Sequence, residues 1–161
     1  MDFRKDLDEA FLRAKFNLVN NDDFMPVAFI KPQSKQKEII VVGLATQDKA
    51  ANMMAVVTIA KQFNAIAVAT IQDCWSTLTE EAAKEVHEKG IHVYEHPDST
   101  EALHLWGADG TGQFIWMQPY TRDKNNKIVF GELTKFDDSE KGYIYNKWWD
   151  QYIRAHPDFT E

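Results

Sequence analysis

The sequence predicts an α+β fold. The expectation is one domain: a mixed but mostly antiparallel sheet of five or six strands, with N-terminal, central and C-terminal helices packed on it. Three observations carry it. Apolar residues recur at helical spacing in separate segments, strand-like runs fill the intervals, and turn residues of defined chemistry divide them. The 161 residues contain no internal repeat, low-complexity tract or linker, so residues 1–161 read as a single domain.

The opening segment DFRKDLDEAFLRAKFNLV places Phe3, Leu7, Ala10, Phe11, Ala14 and Leu18 three and four residues apart, an amphipathic helix. NNDD at 20–23 ends it. MPVAFI and EIIVVGL are β-rich runs joined by the polar KPQSKQK, an expected antiparallel pair. A helix over 46–63 follows, with Thr46 as its expected N-cap and Asp48 in the first turn, against the positive helix end. Its apolar residues (Ala51, Met54, Ala55, Val57, Ile59, Ala60 and Phe63) cover most of the circumference, which predicts burial on two sides. AIAVATI at 65–71 reads as an interior strand. The strand–helix–strand succession predicts a right-handed, parallel crossover. TEEAAKEVHEKG is a shorter exposed helix, capped by Thr79 and closed by Gly90.

The last third reads as a meander. EALHLWGA alternates Leu103 and Leu105 against His104 and Trp106, and Asp109-Gly110 signals a tight hairpin. QFIWMQPYT returns, and RDKNNK turns the chain into IVFGEL. Pro119 lacks a backbone donor, so a bulge or a break in the ladder is expected there. Tyr145, Trp148, Trp149, Tyr152 and Ile153 share one face of a last helix that Pro157 ends.

Composition narrows the function. The net charge of −7, from 18 basic and 25 acidic residues, argues against a nucleic-acid partner. No apolar run approaches the ~18 residues of a membrane span, and MDFRKDLDEAF is too charged for a secretory signal. The one cysteine, Cys74, can form no internal disulfide, which fits a reducing compartment. The expected location is cytoplasmic, with no membrane contact. No phosphate loop, nucleophile elbow, paired-cysteine zinc spacing or HExxH occurs, and no cofactor is expected.

Two stretches hold candidate chemistry. IHVYEHPDSTEALHLWGAD, residues 91–109, carries three histidines and four carboxylates. On a helix His92 and His96 would aim at one ion. Ile91, Val93, Tyr94 and Pro97 favour an extended chain instead, which sets their α-carbons roughly 13 Å apart. Metal–nitrogen bonds near ~2.1 Å do not bridge that distance. The stretch therefore reads as a polar corner, with His92, Glu95 and Asp98, joined by His104, as ligands only if the chain kinks. IQDCWST follows an apolar strand, so Asp73, Cys74 and Trp75 are expected at its C-terminal end, where ligand crevices form. An acid or nucleophile beside an indole is one reading, with Glu101 as a further acid. A buried small thiol, a core tryptophan and a turn-capping Asp73 is the other, and it weighs more. Trp148, Trp149 and Tyr152 serve either as a core face or as a binding surface.

Asp73-Cys74-Trp75, HPDSTEAL and QPYTRDKNNKIVFGE together resemble a scattered family of uncharacterised bacterial and phage proteins, over roughly residues 24–134. The resemblance implies that EALHLW is a strand, and it carries over no catalytic residue. Glutamate and alanine are commoner in that pattern where this chain has Asp73 and Cys74.

The expected function is that of a small cytosolic accessory protein, acting by binding a protein partner or by self-association, with Trp75, Trp148, Trp149 and Tyr152 as contact residues. The alternative is a metal-dependent hydrolase centred on Asp73, His92, Glu95, Asp98 and Glu101. A small-molecule pocket beside Trp75 is a third reading.

Overall fold

A computed structural model of the chain describes residues 3–20, 24–34, 37–44, 48–137, 148–149 and 151–152. The chain runs α1 (Phe3–Asn20), β1 (Val27–Pro32), β2 (Ile40–Gly43), α2 (Lys49–Gln62), β3 (Ala65–Thr77), α3 (Glu80–Lys89), a 3-10 turn at Val93–Glu95, β4 (Ser99–Asp109), β5 (Gly112–Arg122), β6 (Ile128–Phe130) and β7 (Thr134–Asp137). The α+β class is as expected, and the described strands form a seven-stranded sheet ordered β2-β1-β3-β4-β5-β6, with β7 also on β5. Every one of these pairings is antiparallel. The expected parallel crossover is thereby corrected. Strands β2 and β3 run the same way, but β1 lies between them and pairs with both. Helix α2 packs on β1 and β3 together, so adjacency in sequence does not become adjacency in the sheet.

Alternation along the central strands loads both faces with apolar side chains. Ala67, Ala69 and Ile71 of β3 point one way with Leu103 and Leu105 of β4; Val68, Trp106 and Ala108 point the other. Such a sheet needs cover on both sides. α1 covers the first face through Phe3, Leu7, Phe11, Ala14 and Leu18, most of the predicted stripe. α2 covers the second through Val56 and Ala60, with Trp149 and Tyr152 beside it. Two-sided burial of α2 is not found: Met54 is 71% exposed, and Asn52, Val56 and Ala60 make its buried face. Thr46 lies outside the described residues; Asp48 caps the helix, accepting from the Ala50 and Ala51 amides.

Trp148, Trp149, Gln151 and Tyr152 are helical, while Tyr145, Ile153, His156 and Pro157 lie outside the described residues. Trp149 and Tyr152 are buried. The Tyr152 hydroxyl donates to the Ala65 carbonyl at 2.8 Å, and burial pushes its pKa up to about 12. Trp148 is half-buried against the Tyr152 ring. The binding surface expected of Trp149 and Tyr152 is spent on the core instead.

Turn chemistry holds as read. Thr79 accepts from the Ala82 amide, and Gly90 closes α3 at φ 61°. Asp109 pairs with Gly112 across the β4–β5 turn and accepts from both the amide and the hydroxyl of Thr111. At Pro119 the β4 ladder continues unbroken. The break falls on the other side of β5, which pairs with β7 as far as Met117 and with β6 from Tyr120 onward. In that gap the Gly131 amide donates to the Pro119 carbonyl at 2.7 Å. A strand residue's nitrogen and carbonyl face the same way, so the missing donor of Pro119 meets the gap rather than a paired strand.

Arg4 fastens α1 to the hairpin end. It donates to Asp109 at 3.0 Å, Thr111 at 3.1 Å and Asp137 at 3.2 Å, and its guanidinium lies 4.2 Å above the Phe114 ring. Burial would raise the Asp109 pKa, but hydrogen bonds from Arg4 and Thr111 together outweigh it and hold the carboxyl below its ordinary value. A depressed carboxylate stabilises the fold above its unfolded pKa near ~3.9, and that contribution is lost as pH falls through the folded value. Asp109→Asn is therefore expected to lower Tm at pH 7 and to lose that deficit toward pH 2, in thermal melts across the range. A deficit constant with pH would contradict this assignment.

Candidate functional site

Strand β3 does not stop at Ile71. Its backbone stays paired with β4 through Gln72↔His104, Asp73↔Leu103, Cys74↔Ala102 and Trp75↔Glu101 to Thr77↔Ser99. Asp73, Cys74 and Trp75 are therefore paired strand residues in the C-terminal part of β3, where they were expected, and the strand runs six residues further than AIAVATI. Alternation separates them: Asp73 and Trp75 share one face, and Cys74 points to the other. Cys74 is a half-buried thiol that cannot act jointly with Asp73.

Register collects the polar end of this face. Glu101 lies across from Trp75 on one side and from Tyr120 on the other, and Arg122 follows two residues along β5. The Tyr120 hydroxyl donates to Asp73 Oδ1 at 2.7 Å, while its ring fills the core under α1. Burial, then the Asp73 carboxylate, raises the Tyr120 pKa, so Tyr120 acts here as a donor that keeps its proton. Arg122 Nε lies 3.6 Å from Glu101 Oε2, with both side chains 29% exposed. The structure thus brings Asp73, Trp75 and Glu101 together and adds Tyr120 and Arg122. Residues 73–75, 99–103 and 118–122 meet at one end of the sheet through the β3–β4–β5 register.

The extended chain expected from His92 to His96 is corrected: Val93–Glu95 makes a 3-10 turn. Glu95 folds back and accepts from the His92 amide at 2.9 Å. The histidines separate all the same. His92 stacks on Tyr94, ring centroids 5.1 Å apart. His96 is buried, its Nδ1 accepting from the Asp98 amide at 3.0 Å and its Nε2 lying 2.8 Å from Glu85 Oε2. With Nδ1 accepting, Nε2 carries the proton and donates to Glu85, which ties α3 to the entry of β4. His104 sits opposite Gln72, on the face away from Asp73. Among the described residues no group of three or more His, Cys, Asp or Glu is placed to hold a metal ion.

Tyr94, which the sequence did not single out, completes an exposed aromatic surface. Its ring lies 6.3 Å from that of Trp75, edge to face, with Trp75 45% and Tyr94 55% exposed. Leu78, 57% exposed, follows Trp75 in sequence, and its amide donates to the Asp98 carbonyl at 2.8 Å. Neither a protein-family model, nor a curated protein, nor a solved structure matches the chain.

If the Tyr120–Asp73 bond is a discrete stabilising contact, Tyr120→Phe should cost about 1–2 kcal/mol by denaturant melts. Asp73→Asn, which keeps an acceptor oxygen, should cost less. Asp73→Ala added to Tyr120→Phe should then cost less than it does alone; full additivity would show that the two groups do not interact.

Proposed function

We propose that the protein is a small accessory binding protein that docks another polypeptide through the aromatic surface of Trp75 and Tyr94. One observation carries this reading: two large aromatic side chains stand half in solvent on a paired strand and a tight turn, so the scaffold holds them before any partner arrives. Tryptophan and tyrosine dominate interface hot spots because each brings a large contact area at small entropic cost. The surrounding polar groups support the same reading. Asp73, bonded to Tyr120, and the Glu101–Arg122 pair share the face of Trp75 and set polar groups beside the apolar centre, as at the edge of an interface. A cytosolic location fits the single cysteine, and no helix among the described residues is long and apolar enough to cross a membrane.

The test compares three baits: the wild-type protein, Trp75→Ala/Tyr94→Ala, and Met54→Ser as a surface control. A partner retained in stoichiometric amount by wild type and control, and reduced about tenfold or more by the double variant, is expected. Equal retention on all three baits overturns the reading. Light scattering on the same proteins identifies a second copy as the partner if the wild-type mass doubles and the double variant stays monomeric.

A further inference from the structure

On the face that α1 covers, the sheet is wider than the helix. α1 packs over β3, β4 and β5, and the neighbouring surface of β1 and β2 is left as a groove of about 410 Å³ along its flank. Val27, Phe29 and Val41 line the strand side, and Ala10 and Ala14 the helix side, where small side chains keep the space open. The volume falls within the roughly 300–1,000 Å³ of small-molecule sites. The shape is elongated: Asp6 and Asn17, both on α1, mark stations about 16 Å apart along the helix axis.

The charged groups along the groove come from α1. Arg13 donates to Glu9 at 2.7 Å, and these two charges offset each other. Asp6 differs. Its Oδ2 is buried and has no hydrogen-bond partner. That oxygen is closed to a ligand, but the Asp6 carboxylate belongs to the groove lining and, unlike Glu9, pairs with no cation among the described residues, so its charge stands unopposed beside the apolar wall. We propose that this groove binds a small linear molecule with an apolar body and a cationic nitrogen head, an alkyl- or arylalkylamine, whose N–H donates to Asp6 while its body lies on Val27, Phe29 and Val41. An anionic head is disfavoured because Asp6 and Glu9 stand on the same side of the groove and the nearby guanidinium is already engaged.

The test is an amide-shift NMR titration of the ¹⁵N-labelled full chain with n-octylammonium, octan-1-ol and octanoate, each below its micellar concentration. Octylammonium is expected to bind about tenfold tighter than octanol, with octanoate weaker still and saturable shifts confined to α1, β1 and β2. Asp6→Asn should remove the preference for the amine while leaving octanol binding in place. Glu88→Gln, a carboxylate on α3 remote from the groove, should leave the preference intact, which separates recognition by Asp6 from general attraction to an acidic protein. Val41→Lys, at a position 61% exposed on the edge strand, places a cation in the groove and should abolish octylammonium binding with the circular dichroism unchanged. Equal affinity for all three probes, shifts centred elsewhere, no saturable binding, or an amine preference that survives Asp6→Asn or Val41→Lys would each overturn the proposal. Trp75→Ala/Tyr94→Ala should not alter the titration, so this site and the aromatic docking surface stand or fall separately.

Discussion

The constraint on which the rest depends is that β3 is apolar on both faces and longer than anything that covers it. Its 13 residues extend roughly 43 Å. The 18 residues of α1 and the 14 of α2 reach about 27 Å and about 21 Å. Cover on both faces is obligatory where Ala67, Val68, Ala69 and Ile71 lie, and it accounts for the positions of α1, α2, Trp149 and Tyr152. Beyond the cover the ladder continues, because β4 still satisfies the backbone there. Side chains in that uncovered stretch meet water or one another. Asp73, Trp75, Glu101 and Arg122 are therefore polar or amphipathic at the positions where an apolar residue would gain nothing. The candidate site is the part of a long strand that lies beyond α1 and α2 and meets the 3-10 turn instead.

The corner that follows shows how residues resembling metal ligands are used up by local backbone needs. A 3-10 turn leaves amides without intrahelical partners, and a carboxylate three residues on can satisfy one of them. Glu95 does so for His92. His96 is fixed from both ring nitrogens: the Nδ1 lone pair is taken by the Asp98 amide and the Nε2 proton by Glu85, so no lone pair remains for an ion. The Glu85 pKa is held below its ordinary value by the His96 hydrogen bond and then by Lys89, in keeping with a carboxylate engaged by donors. The contacts of the corner serve the fold, and they place Tyr94 edge to face with Trp75.

Much of this was legible in the sequence. Where one residue's chemistry decides the outcome, the reading held: the α1 stripe, the Thr79 cap, Gly90, the Asp109 hairpin and the break at Pro119 are local, and local physics suffices. What was not legible depends on pairing across distance. The strand order β2-β1-β3 cannot be told from a parallel crossover by pattern, because β2 and β3 run the same way in both cases. The extension of β3 past Ile71 is written in the partner strand β4 and not in β3 itself. Tyr120 and Arg122 join the site only through the β4–β5 register, so no spacing rule near Asp73 could have named them. Burial of Trp149 and Tyr152 follows from the needs of a sheet face whose existence the helix does not announce.

Charge decides which kind of partner the proposed docking surface would favour. The chain carries a formal charge of −7, so two copies repel each other while a basic partner is drawn in. Added salt screens both effects over a Debye length of about 8 Å at physiological strength. Association with a second copy should thus strengthen as salt is raised, through weaker repulsion and unchanged apolar burial. Association with a basic partner should weaken, mostly through a slower on-rate, because rim charges steer encounter more than they hold the complex. The salt dependence of the proposed association at Trp75 therefore separates the two cases before a partner is identified. An affinity independent of salt would place the whole interaction on Trp75, Tyr94 and their apolar surroundings, with the Glu101–Arg122 pair reduced to a spectator.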